Sequence, residues 1–292
     1  GRIETFYGDP VDPNRMYIGS RSGGFWQTLD GGVTWNEGAT DFLIATGVNT
    51  MAVRPTDPDS ILINIRNARN GTTHGIYRSI DAGLTWNVTA FNPTNLGWGG
   101  LGTNRQIYEV IYHPTIPDLV YVASNEGLYR STDDMATWTQ VLTATTYEIH
   151  FHPTDPNVMY VRPNNSNYIY VSTNNGLSFF NSGTTPGGNV SRLSVTADCP
   201  DCVYAVNGDY VWKSEDQGAS FSEISNHGLG MYGAFAVSDT DSSQILIGNI
   251  DVNMSSDGGQ NFGQTTFWSQ GNATYATNTA YVHEDIRRAR CQ

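Results

Sequence analysis

The stretch SIDAGLTW, residues 79–86, packs a small hydroxyl residue, an acid, a glycine, a threonine and a closing tryptophan into eight positions. Taken alone it fits either a catalytic acid in a glycine-bearing loop or a piece of turn scaffolding. The rest of the chain decides, because the octapeptide recurs as TLDGGVTW (28–35), STDDMATW (131–138), STNNGLSF (172–179), SEDQGASF (214–221) and SSDGGQNF (255–262). The acid position reads Asp30, Asp81, Asp133, Asn174, Asp216 and Asp257, and the aromatic reads Trp35, Trp86, Trp138, Phe179, Phe221 and Phe262. An Asp or Asn side chain accepts hydrogen bonds from N–H groups of its own turn, glycine supplies a positive φ, and the aromatic packs back against a sheet. Asn174 can accept those bonds but cannot serve as a general acid or base, which favours structure over chemistry. Met135 stands where the other copies have glycine, so the third turn must strain or re-form.

A second motif keeps the same beat. DPVDPNRMYIG (9–19), RPTDPDSILIN (54–64), HPTIPDLVYVA (113–123) and HPTDPNVMYVR (152–162) are Pro/Asp turns leading into apolar strands, with weaker copies at 196–206 and 238–248. Strands precede each Pro/Asp turn and each octapeptide, and a fourth strand follows the octapeptide. Six repeats result, at about 3–45, 46–103, 104–143, 144–187, 188–227 and 228–278. Four antiparallel strands at a period of about 40–50 residues describe a propeller blade, so the expected fold is an all-β β-propeller, with 1–292 as one domain. AYVHEDIRRA (280–289) reads as the first strand of a seventh unit; either it closes a six-bladed ring or the polypeptide continues past Gln292, the reading we favour, with room for further domains. The second repeat is long, with extra residues in RNARNGTTHG and FNPTNLGWGGLGTNRQ that map to loops on a blade end.

The net charge is −13 and Lys213 is the sole lysine. Such a surface repels phosphate backbones, which argues against nucleic acid as a partner. No run approaches the ~18 apolar residues of a spanning helix. Cys199 and Cys202 in DCPDC lack a second CxxC or histidines at ligand spacing, so a local disulfide in an exported protein is the favoured reading, with free thiols or metal left open. Cys291 is left over. No cofactor is called for. Acids cluster in SDTDSS and PTDPD, which leaves structural calcium open although no EF-hand-type loop exists. His113 and His152 each precede a proline at a strand end and read as structural features of the repeat.

The pattern S/T-x-D-x-G-x-T-W/F resembles the Asp-box, or BNR repeat, of sialidases, sortilin-type receptors, two-propeller xyloglucan endoglucanases and a photosystem II assembly factor. The resemblance covers nearly the whole chain. It implies a propeller with the boxes on its rim, and says little about function. In sialidases it implies three arginines, a tyrosine–glutamate pair and an Arg-Ile-Pro near the start, whereas this chain reads GRIETF at 1–6. In the xyloglucanases it implies a catalytic acid in the first blade, at a position that falls on Arg21 of YIGSRSGG (17–24); the third repeat has Asn125 there. A hydrolase would then depend on other acids, such as Glu109, Glu148 or Asp285.

These readings lead us to expect a non-catalytic, secreted or cell-surface propeller that binds a protein or polysaccharide. The alternatives are a glycoside hydrolase related to xyloglucanases or sialidases, and an architectural module of a surface assembly. The residues expected to line the channel mouth are Tyr108, Glu109, Tyr147, Glu148, Arg192, Tyr232 and His283, with Trp98 as an exposed aromatic for a sugar ring or protein partner.

Overall fold

A computed structural model describes residues 2–96, 104–185, 188–230, 233–267 and 280–281. Six four-stranded antiparallel sheets form a six-bladed β-propeller. Blade 1 comprises β1 (Ile3–Gly8), β2 (Met16–Ser20), β3 (Gly24–Thr28) and β4 (Asn36–Glu37). Blade 2 has β5 (Gly47–Arg54), β6 (Asp57–Arg66), β7 (Thr73–Ser79) and β8 (Asn87–Val88), and blade 3 has β9 (Ile107–Tyr112), β10 (Val120–Ser124), β11 (Gly127–Ser131) and β12 (Thr139–Leu142). Blade 4 has β13 (Thr146–Phe151), β14 (Met159–Pro163), β15 (Tyr170–Ser172) and β16 (Phe180–Asn181). Blade 5 has β17 (Arg192–Thr196), β18 (Cys199–Asn207), β19 (Tyr210–Ser214) and β20 (Ser222–Asn226); blade 6 has β21 (Ala234–Val237), β22 (Ile245–Gly248), β23 (Val252–Ser255) and β24 (Gly263–Gln264). Ala280–Tyr281 pairs in parallel with Thr266–Phe267; the rest of the expected seventh-unit strand, and Cys291, lie outside the described residues.

The chain clusters into two compact units, Gly1–Ile149 and His150–Gln292. Within the first, β1 packs on β5 and β5 on β9; within the second, β17 packs on β21. The first strand of a blade is therefore its innermost. Because each sheet is a simple antiparallel meander, the Pro/Asp turn and the octapeptide fall at one end of the blade. The second-to-third-strand turn and the link to the next blade fall at the other.

Apolar residues alternate along the strands, and within each unit the facing sides of adjacent sheets bury them against one another. Tyr17, Phe25, Val48, Ile61, Ile63 and Ile65 form one such core between blades 1 and 2, and Ile76, Phe91, Val110, Val120 and Val122 another between blades 2 and 3. In the second unit, Tyr160, Val171, Leu193 and Trp212 join blades 4 and 5, and Tyr204, Val211, Phe235 and Ile247 join blades 5 and 6.

The octapeptides form one turn six times. In blade 2 the Ser79 hydroxyl donates to Asp81 Oδ1 at 2.7 Å and accepts from Gly83 N at 2.8 Å. Asp81 Oδ1 accepts from Thr85 N at 2.9 Å and Oδ2 from Thr85 Oγ1 at 2.6 Å. Asp30, Asp133 and Asp216 repeat this set with Thr34, Thr137 and Ser220. Two copies change chemistry and keep the turn. Asn174 reverses one bond, its Nδ2 donating to Ser178 Oγ at 2.8 Å, while in blade 6 the Asn261 amide donates to Asp257 Oδ2 at 2.8 Å. Met135 adopts φ +68° after Asp134 at +55°, so the third copy keeps the turn and accepts the strain. Met135 is buried in the core between blades 2 and 3, and that packing offsets the backbone cost.

Four of the six closing aromatics pack into the cores between blades of the same unit. Trp86 meets Phe25 of blade 1 edge-on at 5.2 Å and Trp138 meets Phe91 likewise at 5.3 Å; Phe221 and Phe262 pack on the cores of the second unit. A Cβ on Gly83 would stand 2.4 Å from the Phe25 ring, so only glycine lets the turn reach the preceding blade. The glycine carbonyl is used as well: Gly83 O accepts from Ala39 N at 3.3 Å and Gly218 O from Gly183 N at 2.9 Å. Cys199 and Cys202, both at the start of β18, form a disulfide.

Candidate functional site

The two ends of a blade hold their charges differently. At the octapeptide end the arginines are neutralised between blades. Arg15 pairs with Asp59, and Arg54 bridges Asp118 and Asp134. Asp134 also takes Arg78 at 2.7 Å and the Tyr112 hydroxyl at 2.6 Å. The octapeptide acids are held low by their own loops. Thr34 hydroxyl and N–H donors bring Asp30 to about 2, Ser220 and Ser214 bring Asp216 to about 2, and Asn261 does so for Asp257. Carboxylates this low are poor proton carriers near neutral pH. His113 and His152 cap the Pro/Asp turns: their Nδ1 atoms accept backbone N–H bonds, from Ile116 at 3.0 Å and Asp155 at 3.1 Å.

At the opposite end, where the innermost strands begin, the expected channel residues divide. Tyr108 on β9 and Tyr147 on β13 sit at matching positions of consecutive repeats, half-buried, with ring centroids 4.4 Å apart. Their neighbours Glu109 and Glu148 also match in sequence and differ in surroundings. Glu109 is 5% exposed and its Oε2 accepts from the buried Ile149 N–H at 2.8 Å. Thr50 plays the same part toward Val110 N, and Ser194 toward Val237 N, each at 3.0 Å. Glu109 thus joins Thr50 and Ser194 in presenting an acceptor oxygen to the innermost strand of the following blade, and Asn49 Nδ2 clasps the same strand as Thr50 by donating to Ile107 O at 2.7 Å. Glu148 is half-buried. Arg192 is turned to backbone, its Nε donating to Gly233 O at 2.6 Å. Trp98, Tyr232, His283 and Asp285 lie outside the described residues.

Sequence reasoning missed an arginine cluster at this end of blades 1 and 2. Arg2 and Arg66 both pair with Glu4, Arg66 at 2.9 Å. Arg21, on the β2–β3 turn, donates from Nε to Ala68 O at 3.1 Å on the β6–β7 loop. In the second unit a shallow, mostly polar groove of about 780 Å³ runs between blades 5 and 6, lined by Tyr204, Lys213, Glu223 and Asp257 among others. Among the described residues no three His, Cys, Asp or Glu side chains converge as a metal-ligand set, and no helix is long and apolar enough to cross a membrane.

Comparison with known proteins gives these elements a context. No protein-family profile matches the chain. Over 169 aligned positions, taking in 48% of this chain and 20% of the relative, it is 31% identical to the xyloglucanase Xgh74A of Acetivibrio thermocellus. It is 30% identical to a probable oligoxyloglucan-reducing end-specific xyloglucanase of Neosartorya fischeri, over 46% of this chain and 17% of that one. The chain thus spans about a fifth of the length of these curated relatives. Among solved structures, a GH74 enzyme of Niastella koreensis superposes with a TM-score of 0.69, over 91% of this chain and 45% of that one, at 18% identity. YCF48 bound to a D1 peptide superposes at 0.66, over 90% of this chain and 80% of that one, at 15% identity. At such identities the structural matches establish the fold.

The sequence relatives correct the expectation of a non-catalytic binding propeller, because they are enzymes that cleave a polysaccharide. That expectation leaned on Arg21 standing where the resemblance implies an acid. Glycoside hydrolysis needs two carboxylates across a bound chain, and does not fix which loop supplies them.

Proposed function

We propose that this chain is a carbohydrate-active propeller of the glycoside hydrolase kind, directed at a β-glucan backbone such as that of xyloglucan. The observation that carries the reading is the identity of about a third to xyloglucanases across nearly half the chain. In this reading the octapeptides are Asp-boxes that set the frame, and residues 1–292 act as one propeller domain. The polysaccharide lies across the end where the innermost strands begin. The half-buried Tyr108–Tyr147 pair offers ring faces on which a glucosyl unit stacks. Glu148, beside it, supplies one of the two carboxylates, and with Arg21 on the β2–β3 turn the partner carboxylate comes from a different loop. The disulfide Cys199–Cys202 fits work outside the reducing cytoplasm.

The test is release of reducing ends from tamarind xyloglucan, mixed-linkage β-glucan and cellulose by the purified chain. Cleavage of xyloglucan that falls by at least about a hundredfold in Glu148→Gln, the scale of general acid–base catalysis, supports the reading. No cleavage of any of the three, or cleavage indifferent to Glu148→Gln, rejects it.

A further inference from the structure

The arginines of blades 1 and 2 are spent unequally. At the octapeptide end Arg15, Arg54 and Arg78 each hold a carboxylate. At the other end four arginines, Arg2, Arg21, Arg66 and Arg69, have a single carboxylate bonded among them, Glu4. Arg21 and Arg69 meet no carboxylate among the described residues. In a chain of net charge −13 this is a local concentration of positive charge.

The cluster is built by the backbone. Arg21 N donates to Arg2 O at 2.9 Å. Gly47 lies between the Arg21 and Arg66 carbonyls, where a Cβ would stand 2.7 and 2.6 Å from the two oxygens, so glycine is what lets blades 1 and 2 close here. Ala68 O fixes Arg21 Nε. The loop bearing Ala68 is shaped by Asn67, whose Oδ1 accepts from Arg69 N at 2.8 Å. Arg66 Nε is buried without a hydrogen-bond partner. Burial holds the Arg66 guanidinium below its ordinary range; Glu4 opposes this, and the charges of Arg21 and Arg2 add to it. Cations that repel one another, with one carboxylate bonded among them, leave an excess of positive charge that Glu4 does not balance.

We propose that Arg21, Arg66 and Arg69 form a subsite for the carboxylate of a uronate-bearing glycan. A guanidinium fork matches a planar carboxylate in two parallel hydrogen bonds. The surrounding negative charge disfavours polyanions such as nucleic acid and tolerates a single acidic group on an otherwise neutral chain. The choice of a glycan over another carboxylate rests on the hydrolase reading, and the substrate class narrows to a β-glucan whose side groups carry a uronate.

The experiment is titration calorimetry of the 292-residue chain at low and moderate salt. The probes are a glucuronate-containing oligosaccharide, its carboxyl-reduced neutral counterpart, and acetate. The uronate oligosaccharide is expected to bind, to weaken with salt, and to outbind the neutral form. Arg21→Gln, at the half-buried β2–β3 turn, and Arg69→Gln, on the exposed neighbouring loop, are each expected to raise Kd by about tenfold, the factor a lost charge-assisted hydrogen bond carries. Circular dichroism on the same samples confirms folding. Equal binding of acidic and neutral oligosaccharides, no response to either substitution, or acetate binding as tightly as the oligosaccharide would each overturn the proposal. Xyloglucan cleavage measured in parallel separates the two claims: uronate binding without cleavage removes the hydrolase and keeps the subsite, and cleavage without uronate binding does the reverse.

Discussion

At the octapeptide end of the blades, Asp30, Asp81, Asp133, Asp216 and Asp257 use their oxygens within their own eight residues. At the opposite end, Glu4 and Glu109 reach partners far along the chain, Arg66 and Ile149. A carboxylate satisfied locally makes a turn that can be copied six times with small edits. A carboxylate satisfied at long range depends on its blade's neighbour, and those positions diverge: Thr50, Glu109 and Ser194 do one job with three side chains. Repetition marks scaffold here, and the divergent end is where binding and chemistry have room to develop.

Substitutions break this comparison at graded cost. Trp86→Ala removes the wedge against Phe25 and should cost about 3 kcal/mol, the lower range for a large aromatic, because Trp86 is only half-buried. Urea unfolding measures it, and a loss below about 1 kcal/mol would show that the wedge is dispensable. Glu109→Ala leaves the Ile149 N–H buried and unpaired and should cost about 2 kcal/mol in urea unfolding. A loss below about 0.5 kcal/mol would show that the clasp on the next blade is dispensable.

Smaller effects follow at the octapeptides. Asp81→Ala loses bonds from Ser79 and Thr85 and should cost about 1 kcal/mol, since the freed donors reach water, while Asp81→Asn should cost less because Asn174 holds the same turn. The acids also set a pH dependence. The folded values of Asp30, Asp216 and Asp257 sit at about 2, below the ordinary 3.8. Their stabilisation is therefore complete above about pH 4 and is lost as pH falls through 2. Melting curves from pH 5 to 2 should show this drop, and a flat profile would mean that the loops do not hold the ionised form. Met135→Gly should be close to neutral or mildly destabilising, since relief of the φ +68° strain opposes the loss of buried packing.

The sequence carried the fold because the octapeptide bonds span at most four residues, so the pattern that makes the turn is written inside it. Tyr108 and Tyr147 were legible for a related reason, being the same strand position in consecutive repeats. Glu109 as a clasp was not, because its partner is 40 residues away and the Tyr-Glu pair looks identical in the next repeat. The arginine cluster was hidden more deeply. It draws on Arg2, Arg21, Arg66 and Arg69 from separate strands and loops, which only blade packing brings together. Trp98, Tyr232 and His283 fall outside the described residues.

The most direct measurement is xyloglucan hydrolysis by three folded proteins side by side: the parent chain, Asp81→Asn and Glu148→Gln. The account predicts that Asp81→Asn cleaves like the parent and Glu148→Gln does not, placing chemistry at the end opposite the octapeptides. Loss of activity in Asp81→Asn with Glu148→Gln unaffected, or no cleavage by the parent chain, would contradict it.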